Sequence, residues 1–382
     1  MYIMFWISFA LLVYHIVLYP ILIKIMSLFS KELPIVELSE FPTVTIICPA
    51  YNEEDSIATK LDSFINLDYP KDKVKIIVIS DDSEDNTNTI VEDYSEQYQN
   101  IELRVQKPRR GKPSGHNMVE PTLDTDYVFS TDANSIFDSQ CLKHLVRKMI
   151  SNPQNGLVAG QLKYVSNGVS GSGEGLYWKY ENSIRSSESK VRSINGAPGS
   201  IFLVKRELFT QIHPASVDDF ERTLIVLENN CKAVYEPKAF VEEEVTETSK
   251  DEFKRKVRII SREWFVVHRH IVLFNPFKYP FESFTLVSHK ILRWLFFVFT
   301  SLFFIANIFL AIKLSIFFIV VMGLQILFYA LGLIDLKVSS NSSVKKLTKM
   351  PGYFVLMYLS SILAFNKFLK GEQATTWSTI RS

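Results

Sequence analysis

Apolar and polar positions divide the chain into three regimes. At the start, "YIMFWISFALLVYHIVLYPILIKIMSLF" runs from Tyr2 to Phe29 with one lysine, Lys24, and no acid. About 20 apolar residues cross a bilayer core, so this run predicts a membrane anchor. A cleaved signal peptide is the alternative; it wants a basic start and a small-residue cleavage site, neither of which is present. Near the end come "WLFFVFTSLFFIANIFLAI" (Trp294–Ile312), "LSIFFIVVMGLQILFYALGLI" (Leu314–Ile334) and "YFVLMYLSSILAF" (Tyr353–Phe365). The third is short and holds two serines, so it reads as a tilted span or an interfacial helix. Basic residues mark cytoplasmic flanks. Lys24 and Lys31, Lys290 and Arg293, and the group Lys337, Lys345, Lys346 and Lys349 therefore place the adjoining segments on the cytoplasmic side of a plasma (inner) membrane.

Between the ends the pattern alternates. "TVTIIC", "VKIIVIS", "IELRVQ" and "YVFSTD" are strand-like runs; "IATKLDSFINL" and "TIVEDYSEQY" have helical character. Continuous apolar strands separated by helices predict an α/β domain with a mostly parallel sheet covered on both faces. Ligands of such sheets bind outside the carboxyl ends of the strands. The stretches that fall there are "PAYNEE", "DDSEDNT" and "TDAN". Net charge is +1, which gives no electrostatic footprint for nucleic acid. Cys48, Cys141 and Cys231 lack the spacing of a zinc or redox motif and read as buried small hydrophobes.

Each polar stretch also has a plain structural reading. "PAYNEE" suits a helix start, with Asn52 as cap and acids in the first turn. "TDAN" suits a surface turn. "KPRRGKPSGHN" suits a solvated loop, and it lacks the second glycine and the Ser/Thr of a phosphate-binding P-loop. "DDFERTLIVL" suits a helix N-terminus, and "NGAPGS" a tight turn.

Taken together, "PAYNEE" (Pro49–Glu54), "ISDDSEDNT" (Ile79–Thr87), "RRGKPSGHN" (Arg109–Asn117), "STDAN" (Ser130–Asn134), "NGAPGSIFLVKRELF" (Asn195–Phe209) and "VDDFE" (Val217–Glu221) resemble, in order and spacing, the family 2 glycosyltransferases. The membrane segments resemble the branch of that family containing cellulose, chitin and hyaluronan synthases. The resemblance implies a GT-A nucleotide-sugar-binding domain with one N-terminal and about three C-terminal transmembrane helices. It divides the chain into an anchor (1–30), a cytoplasmic catalytic domain (37–250), amphipathic interfacial helices (251–285) and a transmembrane region (290–370).

The implied activity is inverting transfer of a sugar, from a nucleotide sugar of the UDP type, to a hydroxyl of a glycan or lipid-linked acceptor in cell-surface polysaccharide synthesis. Membrane lipid and polysaccharide export proteins are the implied partners. By the family pattern Asp81 receives the base or ribose, with Ala50, Tyr51 and Glu53 lining the base pocket, and Lys112 lies near the nucleotide. Asp132 and Asn134 stand where the family usually has Asp-x-Asp holding Mg2+ or Mn2+ beside the donor. Asn134 keeps an oxygen but drops a charge. Asp219 is the implied general base. Gly196, Ala197, Gly199, Asp218 and Trp264 form the acceptor side.

In "DEFKRKVRIISREWFVVHRH", Phe253, Val257, Ile260, Trp264 and Val267 make one apolar face and Arg255, Arg258 and Arg262 a basic stripe. This predicts an amphipathic helix on the membrane surface, with Arg262 in reach of the pyrophosphate. Processive synthases carry Gln-x-x-Arg-Trp here. This chain has Ile260 and Glu263 in the Gln and Arg positions, and only Trp264 matches. Three other readings stand beside single transfer: a processive synthase that translocates its polymer, a silent scaffold of an export complex, and a transporter. The intact set Asp81, Asp132 and Asp219 opposes the scaffold. Few polar residues interrupt the spans, which opposes the transporter.

Overall fold

The computed structural model describes residues 1–31, 34, 36–165, 172–244, 249–313, 315–336 and 345–373. The opening apolar run is one helix, α1 (Tyr2–Leu28), with a π-helical turn at Tyr14–Leu18. There follow β1 (Val44–Ala50), α2 (Ile57–Ile65), β2 (Val74–Ser80), α3 (Thr87–Gln97), β3 (Ile101–Val105), α4 (Lys112–Val119), β4 (Tyr127–Ser130), β5 (Ile136–Phe137) and α5 (Cys141–Ile150). Next come β6 (Asn155–Val165), α6 (Ser172–Val191), β7 (Phe202–Lys205), α7 (Asp218–Glu228) and β8 (Lys232–Glu244).

The strands form one sheet in the order β3-β2-β1-β4-β7-β6-β8-β5. The half formed by β3, β2, β1 and β4 is parallel, as the sequence predicts. The other half is mixed: β7 runs antiparallel to β4 and β6, and β5 antiparallel to β8. Alternate residues of β1 face opposite layers. Val44, Ile46 and Cys48 pack with α2 and α5, whereas Ile47 packs with Ile79, Val128 and the apolar side of α7. Cys48 and Cys141 are buried free thiols, held protonated by burial, which pushes Cys48 up to about 12.

Register fixes the site. Ala50 lies opposite Ser80, Ile47 opposite Ser130 and Ser80 opposite Val105. The chain therefore leaves β1, β2, β3 and β4 along one edge, which brings Tyr51, Asp81, Gln106 and Asp132 into one neighbourhood.

Among the described residues, five further apolar or amphipathic helical elements follow the sheet: α8 (Ser249–Arg269), α9 (Pro280–Trp294), α10 (Phe296–Ala311), α11 (Ile316–Asp335) and α12 (Lys345–Leu369). Among the described residues, α1, α11 and the Leu347–Leu369 part of α12 are long and apolar enough to cross a membrane. α9 and α10 pass the same test together but bend by 59°. The last block is thus longer than its apolar stretch alone suggests, because the helix extends through Lys345 and past Phe365. The loop expected to carry Lys337 lies, over 337–344, outside the described residues.

α8 is the predicted amphipathic helix, and its apolar face is covered by protein. Trp264 packs on Trp294 of α9 and on Phe365 and Phe368 of α12. The reason is the return of α12, a helix whose pairing the periodicity of α8 does not announce. α1 is tied to the body by Tyr19, whose hydroxyl donates to buried Glu188 of α6 at 2.5 Å. His289 of α9 meets the same carboxylate at 2.7 Å.

Gly160 lies at a register shift between β6 and β8. A Cβ there would stand 2.6 Å from the Ala239 carbonyl oxygen and 2.3 Å from Ile201 Cδ1. Backbone cannot yield as a side chain does, so Gly160→Ala is expected to destabilise the protein by about 1–3 kcal/mol, the range for overpacking. Thermal unfolding of the two proteins checks this, and an unchanged transition would refute the close packing.

Candidate active site

The loops after β1 and β2 are laced together. Asn52 and Asp82 both adopt left-handed backbone, with φ of 51° and 61°. The Asn52 amide oxygen accepts from the Glu84 N–H at 2.9 Å, and Glu54 accepts from the Asn86 side chain at 2.8 Å. The Glu53 N–H donates to Thr87 Oγ1 at 2.8 Å, while its carboxylate takes the Ser56 hydroxyl at 2.7 Å. α2 starts only at Ile57, after Ser56. Asn52 is therefore a loop-to-loop link and not a helix cap, a correction to the structural reading of "PAYNEE".

Asp81 is 1% exposed. Its carboxylate accepts from Gln106 Nε2 at 2.5 Å, from the Arg110 N–H at 2.9 Å and from the Gly111 N–H at 3.0 Å. The basic loop thus closes over the end of β2. Gly111, with φ of 89°, supplies the turn that a side chain rarely adopts. Arg109 lays its guanidinium over the Tyr51 ring, 3.4 Å from the centroid, and stands 3.5 Å from Asp81. Ala50, Tyr51, Asp81 and the basic loop form one wall.

Lys112 opens α4 and reaches across the site. Its ammonium donates to Asp132 Oδ1 at 2.8 Å and to the Gly199 carbonyl at 2.9 Å. It also stands 3.1 Å from Asp218 Oδ2. Three N–H donors thus face three oxygens from three separate segments. Burial alone would lower the lysine, but Asp132 and Asp218 outweigh it and raise its pKa. His116, one turn on, is fully buried; burial and then the charges of Arg222 and Lys112 hold it well below its ordinary value, so it is neutral.

Asp219 is the second residue of α7, with Oδ1 accepting its neighbour's N–H, that of Phe220, at 2.7 Å. Loss of solvation, then the Asp218 charge, raises it to about 7, against the pull of Lys112. Gly199 leaves room for it: a Cβ there would be 3.0 Å from Asp219 Oδ2 and 3.6 Å from Lys112 Nζ. Gly196 and Ala197 are buried on the same side; the Ala197 N–H donates to Thr223 Oγ1 at 3.2 Å, and a Cβ on Gly196 would be 3.4 Å from Lys290 Nζ.

Two residues take different positions from the rest of the expected set. Arg262 is buried and donates to the carbonyls of Ala215 and Ser216, so it fastens the segment leading into Asp218 and Asp219. Trp264 lies in the aromatic cluster between α8, α9 and α12. Glu263 beside it pairs with Lys290 at 3.1 Å, each about a tenth exposed.

The cation expected at Asp132 and Asn134 can be tested on donor chemistry. Asn134 donates its amide nitrogen to Glu243 Oε1 at 3.0 Å. Burial, then the charge of Asp132, raises Glu243 to about 7. Asp132 is 38% exposed at its side chain and keeps one oxygen on Lys112. Among the described residues no three His, Cys, Asp or Glu side chains converge on one point. An all-oxygen set with one or two carboxylates suits a hard cation such as Mg2+ that completes its shell with water and substrate phosphate. The residues fit such an ion and do not form a closed protein cage.

Sequence reasoning missed Gln106, Arg109 and Glu243 as members of the site. Gln106 directly follows β3, and Glu243 sits in the run "VEEEV" at the end of β8. The recurring signal, a polar residue just past an apolar strand, was there for Gln106; Glu243 lies within β8 and carried no such signal.

Comparison with known proteins bears on the fold and on the family of the domain. Residues 45–212 match the model of Glycosyl transferase family 2. The chain is 25% identical over 372 residues to "Probable glycosyltransferase YdaM" of Bacillus subtilis (strain 168), covering 92% of this chain and 87% of that relative. It is 26% identical over 224 residues to "Poly-beta-1,6-N-acetyl-D-glucosamine synthase" of Staphylococcus epidermidis, a match that covers 56% of this chain and 53% of that one. Among solved structures, the mannosyltransferase PcManGT from Pyrobaculum calidifontis, in complex with GDP-Man and Mn2+, superposes with a TM-score of 0.71 at 21% identity, covering 97% of this chain and 99% of that chain. That likeness shows a shared GT-A-like fold.

Lys112 is the shared counter-charge for Asp132 and Asp218. Lys112→Met is expected to destabilise the protein by about 2 kcal/mol, below the 3–5 for breaking a wholly buried pair because Asp132 is partly solvated. Thermal unfolding reads the loss. A double variant Lys112→Met/Asp218→Asn should recover part of it; failure to do so would show that the Asp218 pairing carries no weight.

Proposed function

We propose, on the premise that this chain is a glycosyltransferase with a family 2 domain at residues 45–212, that it transfers a sugar with inversion from a nucleotide sugar to an acceptor hydroxyl. The donor is a UDP-sugar and the acceptor a glycan or lipid-linked sugar at a membrane surface. The observation that carries this reading is the set around Lys112: Asp132, Asp218 and Gly199 on one ammonium, with Asp219 beside Gly199.

In this reading the base and ribose dock against Ala50, Tyr51, Glu53 and Asp81, where the basic loop yields its contacts to the nucleotide. Lys112 faces the diphosphate. Asp132 and Asn134 are the residues that would hold a divalent ion, Mg2+ or Mn2+, which when bound offsets charge on the departing diphosphate. Asp219 takes the proton from the acceptor hydroxyl. The freed oxygen attacks the anomeric carbon from the face opposite the leaving nucleoside diphosphate, so the C–O bond to phosphate breaks as the new glycosidic bond forms. A base near pKa 7 suits that task at neutral pH. Asp218 keeps Asp219 basic through like charge. Gly196, Ala197 and Gly199 let the acceptor approach closely, with Trp264 and Arg262 holding α8 and the Asp218 segment in place behind them.

The apolar helices support a membrane location with residues 37–250 on the cytoplasmic side, next to flanks rich in lysine. A processive synthase is the second reading, favoured by the Staphylococcus relative; product length on a defined acceptor separates it from single transfer. A donor screen on the full-length protein, reading released UDP or GDP with Mn2+ and with chelator, tests the main proposal. Release from no nucleotide sugar would refute it.

Two expected outcomes follow from Asp219. Asp219→Asn should lower turnover by about 10²-fold or more, while UDP affinity changes by less than about tenfold, or 1.4 kcal/mol. Near-normal turnover would remove Asp219 from the base role.

The base works deprotonated, so wild-type turnover should fall as pH drops through about 7. Asp218→Asn removes the like charge that helps raise Asp219, and should move that midpoint to lower pH. A midpoint that stays in place, or moves up, would contradict the assignment.

A further inference from the structure

Lys60 is a lysine on α2 with no solvent exposure. Its ammonium donates to Thr131 Oγ1 at 2.8 Å, to Ser135 Oγ at 3.1 Å and to the Ser135 carbonyl. It also lies over the Phe137 ring, 3.7 Å from the centroid. All three hydrogen-bond partners therefore belong to the segment that carries Asp132 and Asn134. Within that segment the Ser135 hydroxyl donates to the Asp132 carbonyl at 3.0 Å, and the Thr131 N–H donates to the carbonyl of Ile47, midway along β1, at 3.1 Å. The loop is closed from below by one ammonium.

Burying an ammonium is costly, and replacing buried charge by an apolar group of similar volume is often neutral or stabilising. Fold stability alone does not account for a lysine here. Burial lowers Lys60 to about 8, which leaves it protonated at neutral pH. If the amine were removed, Thr131 Oγ1 and Ser135 Oγ, already 3.3 Å apart, could satisfy one another. The loop would then close on itself and lose its fixed height above α2.

We propose that Lys60 is a positioning residue: its buried ammonium pins Thr131 and Ser135 so that Asp132 and Asn134 face a divalent cation and the donor diphosphate. This rests on the reading of Asp132 and Asn134 given above. It assigns to α2 a part in donor binding although Lys60 itself touches no substrate. The Asp81 wall, on the far side of β1, is built from other contacts and does not depend on it.

The test uses the full-length protein in detergent, with UDP and GDP as probes, each titrated with Mn2+ and with chelator. For Lys60→Met the thermal transition should stay at or above the wild-type value. The affinity gained on adding Mn2+ should fall about tenfold, and the metal-free affinity, set by the Asp81 wall, should hold within twofold. Thr131→Val, which removes one partner and keeps the lysine, should show a smaller loss of the same metal-dependent part. Two results would overturn the proposal. One is a Lys60→Met protein whose Mn2+-dependent affinity stays within twofold of wild type. The other is a lowered transition with both parts of the affinity lost together, which marks a lysine that only supports the fold. Wild-type protein whose UDP and GDP affinity ignores Mn2+ would refute the cation reading and this inference with it, whereas intact metal dependence in both proteins refutes the inference alone.

Discussion

The contact on which the rest of the site depends is that of Lys112 with Asp132, Asp218 and the Gly199 carbonyl. These oxygens come from the end of β4, the start of α7 and the turn before β7, segments that no local preference would bring together. Asp218 and Asp219 are neighbours at a helix start, a position where acids are favoured by the helix dipole. Two adjacent carboxylates beside a third are nonetheless mutually repulsive. The ammonium makes the arrangement tolerable by pairing with both Asp218 and Asp132 and offsetting part of their charge, and in doing so leaves Asp219 as the carboxylate without a direct ion pair to it. Its raised pKa is a consequence of that division: burial and Asp218 push it up, and Lys112 only partly offsets them.

The same economy of charge recurs away from the site. Arg222 of α7 is fully buried and lies over the Phe209 ring, 3.4 Å from the centroid, with a hydrogen bond to the Thr210 carbonyl at 2.9 Å. Arg262 ties α8 to Ala215 and Ser216 on the approach to α7. Both hold the segment 209–217, which delivers Asp218 and Asp219. Arginine suits this work because its planar fork meets several carbonyls at once and remains charged when partly desolvated. The amphipathic stripe of α8 therefore has an inward purpose. A basic face that reads as attraction to lipid is in part the means by which the helix grips the catalytic domain.

Much of this was legible in the sequence, and unevenly so. β1, β2 and β4 announce themselves as β-branched runs ending in polar residues, and their loops do meet at one edge. The family-like spacing of "TDAN" and "VDDFE" places Asp132 and Asp219 within reach of one lysine. The mixed half of the sheet was not legible. β6 and β8 pair across 76 to 79 residues, with α6, β7 and α7 between them, and their register shifts at Gly160, where backbone meets backbone. Long-range pairing of this kind leaves no local period. Asn52 shows a different failure: its composition suits a cap, but the chain turns through left-handed backbone there and the amide crosses to the next loop. Glu243 and Lys60 were hidden for a third reason. Each is an ordinary charged residue in its own element, and only the tertiary fold sets it behind the loop of Asp132.

Glu263 carries the comparison with processive synthases to a physical point. An arginine in that position would add a positive charge near Asp219. Here a carboxylate occupies it and is neutralised by Lys290, at 3.1 Å, from the helix that leads into the apolar segment. The pair is nearly buried, lies beside Gly196, and its lysine stands 4.9 Å from the Phe220 ring centroid. Glu263 also contributes to the raised pKa of Asp219. On that side Glu263 of α8 and Lys290 of α9 offset one another as an internal ion pair between two helices. Breaking such a pair leaves one charge uncompensated in a poorly solvated place, so α8 and α9 are held in fixed relation. Since α9 bends by 59° into α10, the Gly196 side of the site is fastened to the apolar part of the chain through side chains that also act on the electrostatics of Asp219.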